Sequence, residues 1–159
     1  MIRQLKILTI IALLGLALIL PASSSATPDS PLLFQMRRLQ EKLFLKLKSS
    51  PEEKYNFQYN LLKARFEEVI KLTENKRYGI ILPSTQRYFT TAGELTDLVV
   101  QNNMKSQAAD LIKTLGLHLN KLTQLIEDYR KDLNTEWKFL EDDRNYILIY
   151  QDKLSQLYD

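Results

Sequence analysis

The chain has 159 residues, with 22 Lys plus Arg against 19 Asp plus Glu for a net charge of +3, no Cys, one His, 4 Gly and 5 Pro. That length holds one ordinary domain and excludes multidomain enzymes. A 45% hydrophobic fraction suits a chain that folds, the lack of Cys rules out disulfides, thiolate metal sites, a thiol nucleophile and a lipoprotein anchor, and so few Gly leave little for phosphate loops or an all-β domain.

Residues 1–26 read as an export signal, which leaves a helical bundle domain over residues 27–159. Arg3 and Lys6 make a positive start, Ile7 to Leu20 is apolar but for Thr9 and Gly15, Pro21 ends the run, and Ser24 with Ala26 offers the small residues a signal peptidase needs. Two readings stand, a cleaved signal and a short retained anchor. Fourteen apolar residues at helical rise cover about 21 Å, less than the roughly 30 Å of a hydrocarbon core, which favours cleavage. Either reading exports the rest of the chain, since the positive end stays inside. The leader holds two bases and no acid, so the mature net charge is +1. No basic excess of the kind that accompanies nucleic-acid binding remains.

Beyond the leader, apolar residues recur every third or fourth position and prolines stand at starts. Ser30 and Pro31 open a first helix over 31–48 with Leu32 or Leu33, Met36, Leu39 or Gln40, Leu43 and Leu47 on one side. Ser50, Pro51 and Glu53 give the strongest local signal, an N-cap, a first-turn proline and a Glu three on from the cap. They open a second helix over 51–77 with Tyr55, Gln58 or Tyr59, Leu62, Phe66, Val69 and Thr73 on its face. Lys76 and Arg77 suit its negative end, and Gly79 suits a left-handed cap. Pro83 and Ser84 open a third helix with Tyr88, Ala92, Leu95 and Val99, ending near Asn102 and Asn103. A fourth, over about 104–131, carries Met104, Ala108, Leu111, Leu115, His118 or Leu119, Leu122 and Ile126. The tail continues the period with Trp137, Leu140, Ile147, Tyr150, Leu154 and Leu157. A break near 133–135 is expected, because an unbroken helix of roughly 50 residues would reach about 75 Å, too long to pack on so small a body. The fold class is therefore all-α, an antiparallel bundle of four to five helices.

The stretch Thr27, Pro28, Asp29, Ser30, Pro31, Leu32, Leu33, then Met36, Arg37, Arg38, Leu39, Glu41 and Lys42, followed by Ser50, Pro51, Glu52, Lys54 and the run Leu62, Ala64, Arg65, Phe66, Glu67, Glu68, resembles a bacterial extracytoplasmic helical domain family of unknown function. The resemblance spans residues 28–130 and leaves the tail outside. It implies a signal or anchor, a Pro-Asp-Ser-Pro start and a bundle, and supplies no catalytic residue.

Nothing in the residues marks a reaction. His118 is the single histidine and Leu115 stands where a di-metal bundle needs a Glu, so a partly buried, hydrogen-bonded or solvent-edge histidine is the expectation. Glu141, Asp142 and Asp143 spread over a helix and read as a solvated acidic face rather than a cation site. No nucleophile stands beside a base. The sequence thus points to a non-enzyme with no cofactor and no metal.

Charge placement offers two surfaces. The first helix carries Arg37, Arg38, Lys42, Lys46 and Lys48 against Glu41, a candidate face for an anionic membrane or a partner. Residues 134–159 are acidic, at −3, a complement to those bases. Their aromatics Trp137, Tyr146, Tyr150 and Tyr158 are a candidate contact for a protein partner or a second copy, with core packing as the alternative account. The expectation is an exported binding or scaffolding module at the cell envelope. A periplasmic chaperone or stress sensor is the alternative, and a cell-envelope hydrolase is a further one.

Overall fold

The computed structural model describes residues 31–133 and 137–158, with side chains from residue 35. The predicted leader, the Ser30 cap and the Asn134 region lie outside the described residues. The chain divides into two compact units after Phe44. Helix α1, Pro31–Leu47, begins in the first.

The second unit holds α2 (Pro51–Glu74), a short 3-10 turn (Tyr78–Ile80), α3 (Leu82–Gln101), α4 (Lys105–Leu133) and α5 (Lys138–Ser155), and among the described residues every element is helical. Helix α2 starts as its residues dictate. The Ser50 hydroxyl accepts from the Glu53 N–H at 3.1 Å and the Glu53 carboxylate reaches back to the Ser49 N–H at 3.1 Å, while Pro51 fills the first turn.

Its end departs from expectation. Helix α2 stops at Glu74, and Lys76, not Gly79, takes the left-handed backbone at φ 55°. The Arg77 N–H bonds the Leu72 carbonyl and the Lys76 N–H that of Thr73, a Schellman closure built on a lysine. Helix α3 ends in the same way: Asn103 has φ 50°, and Met104 N–H bonds the Val99 carbonyl at 3.0 Å. Asparagine suits that backbone better than lysine, because its short polar side chain tolerates the left-handed region.

The core is aliphatic and aromatic, formed by Leu62, Phe66 and Val69 of α2, Tyr88, Ala92, Leu95 and Val99 of α3, Leu111, Leu115, Leu122 and Leu125 of α4, and Leu140, Ile147 and Leu154 of α5. Helix α2 packs on α3, α3 on α5 and α5 on α4. Cross-links fix the directions. Glu68 to Ser84 and Arg65 to Arg87 make α2 and α3 antiparallel, Gln151 to Ile112 and Arg130 to Glu141 do the same for α4 and α5, and Lys153 to Asp97 with Tyr146 on Phe89 makes α3 and α5 run parallel. From α2 to α5 consecutive helices therefore alternate, while α5 lies alongside α3 in the same direction.

Helix α4 ends at Leu133 and α5 begins at Lys138 with Trp137 extended before it, while residues 134 and 135 of the expected break lie outside the described residues. Trp137 closes the junction, stacked on Tyr129 at 4.6 Å between ring centres and edge-on to Tyr78 at 5.1 Å. Among the described residues no helix is long and apolar enough to cross a membrane.

Candidate functional site

Several places gather polar or exposed groups that packing alone does not require. The first is enclosed. The Tyr88 hydroxyl and His118 Nδ1 share a hydrogen bond of 3.0 Å deep between α3 and α4, and the imidazole lies flat on Phe66 with ring centres 3.8 Å apart. Burial lowers His118 to about 4, so the ring is neutral at physiological pH, and burial with Asp143 nearby holds Tyr88 well above the usual phenol value. The histidine is packed and hydrogen-bonded rather than at the solvent edge.

Asp143 overturns the reading of residues 141–143 as a solvated face. It is 0% exposed, and neither carboxyl oxygen has a hydrogen-bond partner among the described residues. Burial, with Asp142 adding to it, raises its carboxyl to about 9, so the group is a neutral acid at pH 7. The signal was in the spacing: Leu140, Asp143, Ile147 and Leu154 fall on one buried row of α5, and the aspartate occupies an apolar slot. Glu141 faces outward to Arg130 at 2.7 Å.

A second polar seam joins α2 and α3, where Glu68 receives the Ser84 hydroxyl and lies 3.6 Å from the Arg87 guanidinium. The Arg65 guanidinium donates to the Arg87 carbonyl at 3.2 Å. An open groove of about 510 Å³ lies against α2 and α3, lined by Lys54, Gln58, Glu94, Asp97, Leu98 and Gln101, with Leu45 and Lys46. Asp97 there is tied to Lys153 at 2.6 Å. Among the described residues no group of three or more His, Asp or Glu side chains is placed to hold a metal ion.

The tail aromatics separate into two kinds. Trp137 is buried in its cluster with Tyr78 and Tyr129 and is not on the surface. Tyr150 is half-buried against Gly93, and the Tyr158 hydroxyl donates to the Lys105 carbonyl. Tyr146 is 41% exposed and stacks on Phe89 at 4.7 Å. With Phe139 and Ile149, both exposed, it forms one outward row of α5.

On α1, Arg38, Lys42 and Lys46 are exposed and Arg37 is held by Glu41 at 3.2 Å, while Lys48, just past the helix's end, is half-buried. The tail charges Glu141 and Lys153 find their partners within the bundle, in Arg130 and Asp97.

The family described as a domain of unknown function, DUF5667, matches residues 25–156, and the chain belongs to it. The match takes in the tail, which the sequence resemblance had left outside. No curated protein and no solved structure matches the chain.

Proposed function

We propose that this member of the DUF5667 family is a non-enzymatic binding or scaffolding module of the cell envelope, exported by its leader and acting by presenting helical faces. The observation that carries the reading is the outward row Phe139, Tyr146 and Ile149, backed by Phe89. Aromatic side chains supply large rigid contact area at low entropic cost, so a stacked aromatic pair beside an exposed aliphatic is the kind of anchor a protein partner uses. The titratable groups with shifted protonation point the same way. Asp143 and His118 would be an acid and a base of interest to catalysis, but the first is 0% and the second 7% exposed, each packed among the helices.

Photocrosslinking tests this in living cells with a benzophenone amino acid in place of Tyr146. A discrete adduct with one envelope protein or with a second copy is expected, and the same probe at Leu117, exposed on α4, should give none. An absence of adducts at position 146, or adducts indistinguishable from those at 117, overturns the reading.

A further inference from the structure

Helix α1 has a surface of unusual composition. Its exposed side chains from residue 35 to Leu47 are Gln35, Met36, Arg38, Leu39, Lys42, Leu43, Lys46 and Leu47. Four are apolar, three are basic and none is acidic. The apolar ones are exposed by 41% at Met36, 61% at Leu39, 44% at Leu43 and 75% at Leu47, and their spacing of three, four and four places them in one row along the helix. Arg38, Lys42 and Lys46, spaced by four, form the adjoining row. The helix's acid, Glu41, is not among these exposed residues and is paired with Arg37.

From these paired rows we infer that α1 lies on the surface of an anionic phospholipid bilayer, with the leucine row at the acyl boundary and the basic row at the phosphates. A row of exposed leucines asks for an apolar occupant, and the neighbouring bases decide which kind. A second α1 would bring three more cations against the three already there, whereas lipid phosphates complement them. Long Lys and Arg stems reach headgroups while the leucines sit lower, the arrangement of helices that lie in a membrane interface. The apolar run Ile7 to Leu20 stands ten residues before Pro31, so a leader that acts as in the proposed function would bring α1 close to a bilayer. The inference goes beyond the proposed function by assigning a second surface to a lipid partner, and rests on the envelope reading only for which bilayer is met in the cell.

The chain has no cysteine, so a single Leu39→Cys carries an environment-sensitive dye at one place. The full chain is used, and the local dye separates α1 from any contact made by the leader. With phosphatidylglycerol-containing vesicles at low salt the dye at 39 should shift to the blue, while neutral phosphatidylcholine vesicles leave it unchanged. Reversal of the basic row, Arg38→Glu with Lys42→Glu and Lys46→Glu, should weaken that response about tenfold or more, and the neutral Gln versions should fall between. The same dye at Leu117→Cys should not respond. No shift at 39 with anionic vesicles, an equal shift with neutral ones, or a shift that grows with protein concentration in the absence of lipid overturns the inference. None of these outcomes bears on crosslinking from Tyr146, so the two surfaces fail separately.

Discussion

Gly93 of α3 faces the Tyr150 ring of α5: a Cβ built on Gly93 would lie 2.8 Å from the Tyr150 hydroxyl oxygen and 3.0 Å from its ring carbon Cζ. The glycine stands in mid-helix with an ordinary negative φ, so its backbone does not require it and its helix propensity counts against it by about 1 kcal/mol relative to Ala. The ring across from it explains why it is there. Gly93→Ala should therefore lower stability by about 1 kcal/mol, because overpacking of 1–3 kcal/mol outweighs the propensity gain. In a Tyr150→Leu background the contact is gone and the same substitution should raise stability by about 1 kcal/mol. Urea denaturation of the four proteins in this cycle measures both signs, and a gain in the parent chain would show that Tyr150 swings aside freely.

The enclosed aspartate makes stability depend on pH in a definite direction. Asp143 holds its proton in the folded state up to about 9 but releases it near 3.8 when unfolded, so the folded state is favoured by protonation and stability falls as pH rises between those values. His118 acts in the opposite sense. Its value of about 4 in the folded state, against 6.5 unfolded, makes stability rise with pH between 4 and 6.5 and then level. The two slopes oppose one another between about 4 and 6.5, and from there to about 9 the aspartate's slope is no longer opposed by the histidine, with a decline of up to about 1.4 kcal/mol per pH unit. Asp143→Leu should abolish the alkaline decline and stabilise the chain at pH 8, since an apolar side chain replaces a buried carboxyl that lacks a partner. Thermal melts from pH 5 to 9 check this, and an alkaline limb unchanged in the variant would place the titration elsewhere.

How much of this was legible follows from the range of each interaction. The start of α2 was readable because Ser50, Pro51 and Glu53 act within one turn. The inward rows of α2 to α5 were readable because packing repeats with the helix period. Asp143 was hidden by its neighbours: beside Glu141 and Asp142 it looked like part of a charged face, although its position in the row of Leu140 and Ile147 placed it inside. The end of α2 was drawn toward Gly79 by a local rule that favours glycine, while tertiary closure put Lys76 in that conformation. The sorting of Trp137 inward and Tyr146 outward depended on Tyr129 and Phe89, partners on other helices.

The left-handed residue closing α3 gives a test confined to the backbone. Asn103 at φ 50° occupies a position where a Cβ-bearing residue without a short polar side chain is strained by about 1–2 kcal/mol. Asn103→Gly should leave stability unchanged or raise it slightly, and Asn103→Ala should lower it by about 1 kcal/mol. Because the side chain at 103 is exposed, loss of packing does not enter. Equal stability of the Gly and Ala variants would mean that the helix end relaxes to another closure.

Trp137 is the chain's one tryptophan and packs between α4 and α5, so its emission reports on that junction alone. Stacked on Tyr129 and edge-on to Tyr78, it is worth more than its area, since aromatic pairs add about 0.5–1.5 kcal/mol beyond burial. Trp137→Ala removes both pairs and leaves a cavity, for an expected loss of about 3–5 kcal/mol, while Trp137→Phe keeps a ring in place and should lose considerably less. If α5 belongs to the same cooperative body as α2 to α4, the red shift of the tryptophan on heating should coincide with the loss of helical circular dichroism. A tryptophan transition that precedes the helical one would make α5 a separately opening element. In that case Asp143 would meet water before the rest of the core, and the alkaline destabilisation would appear first in the fluorescence.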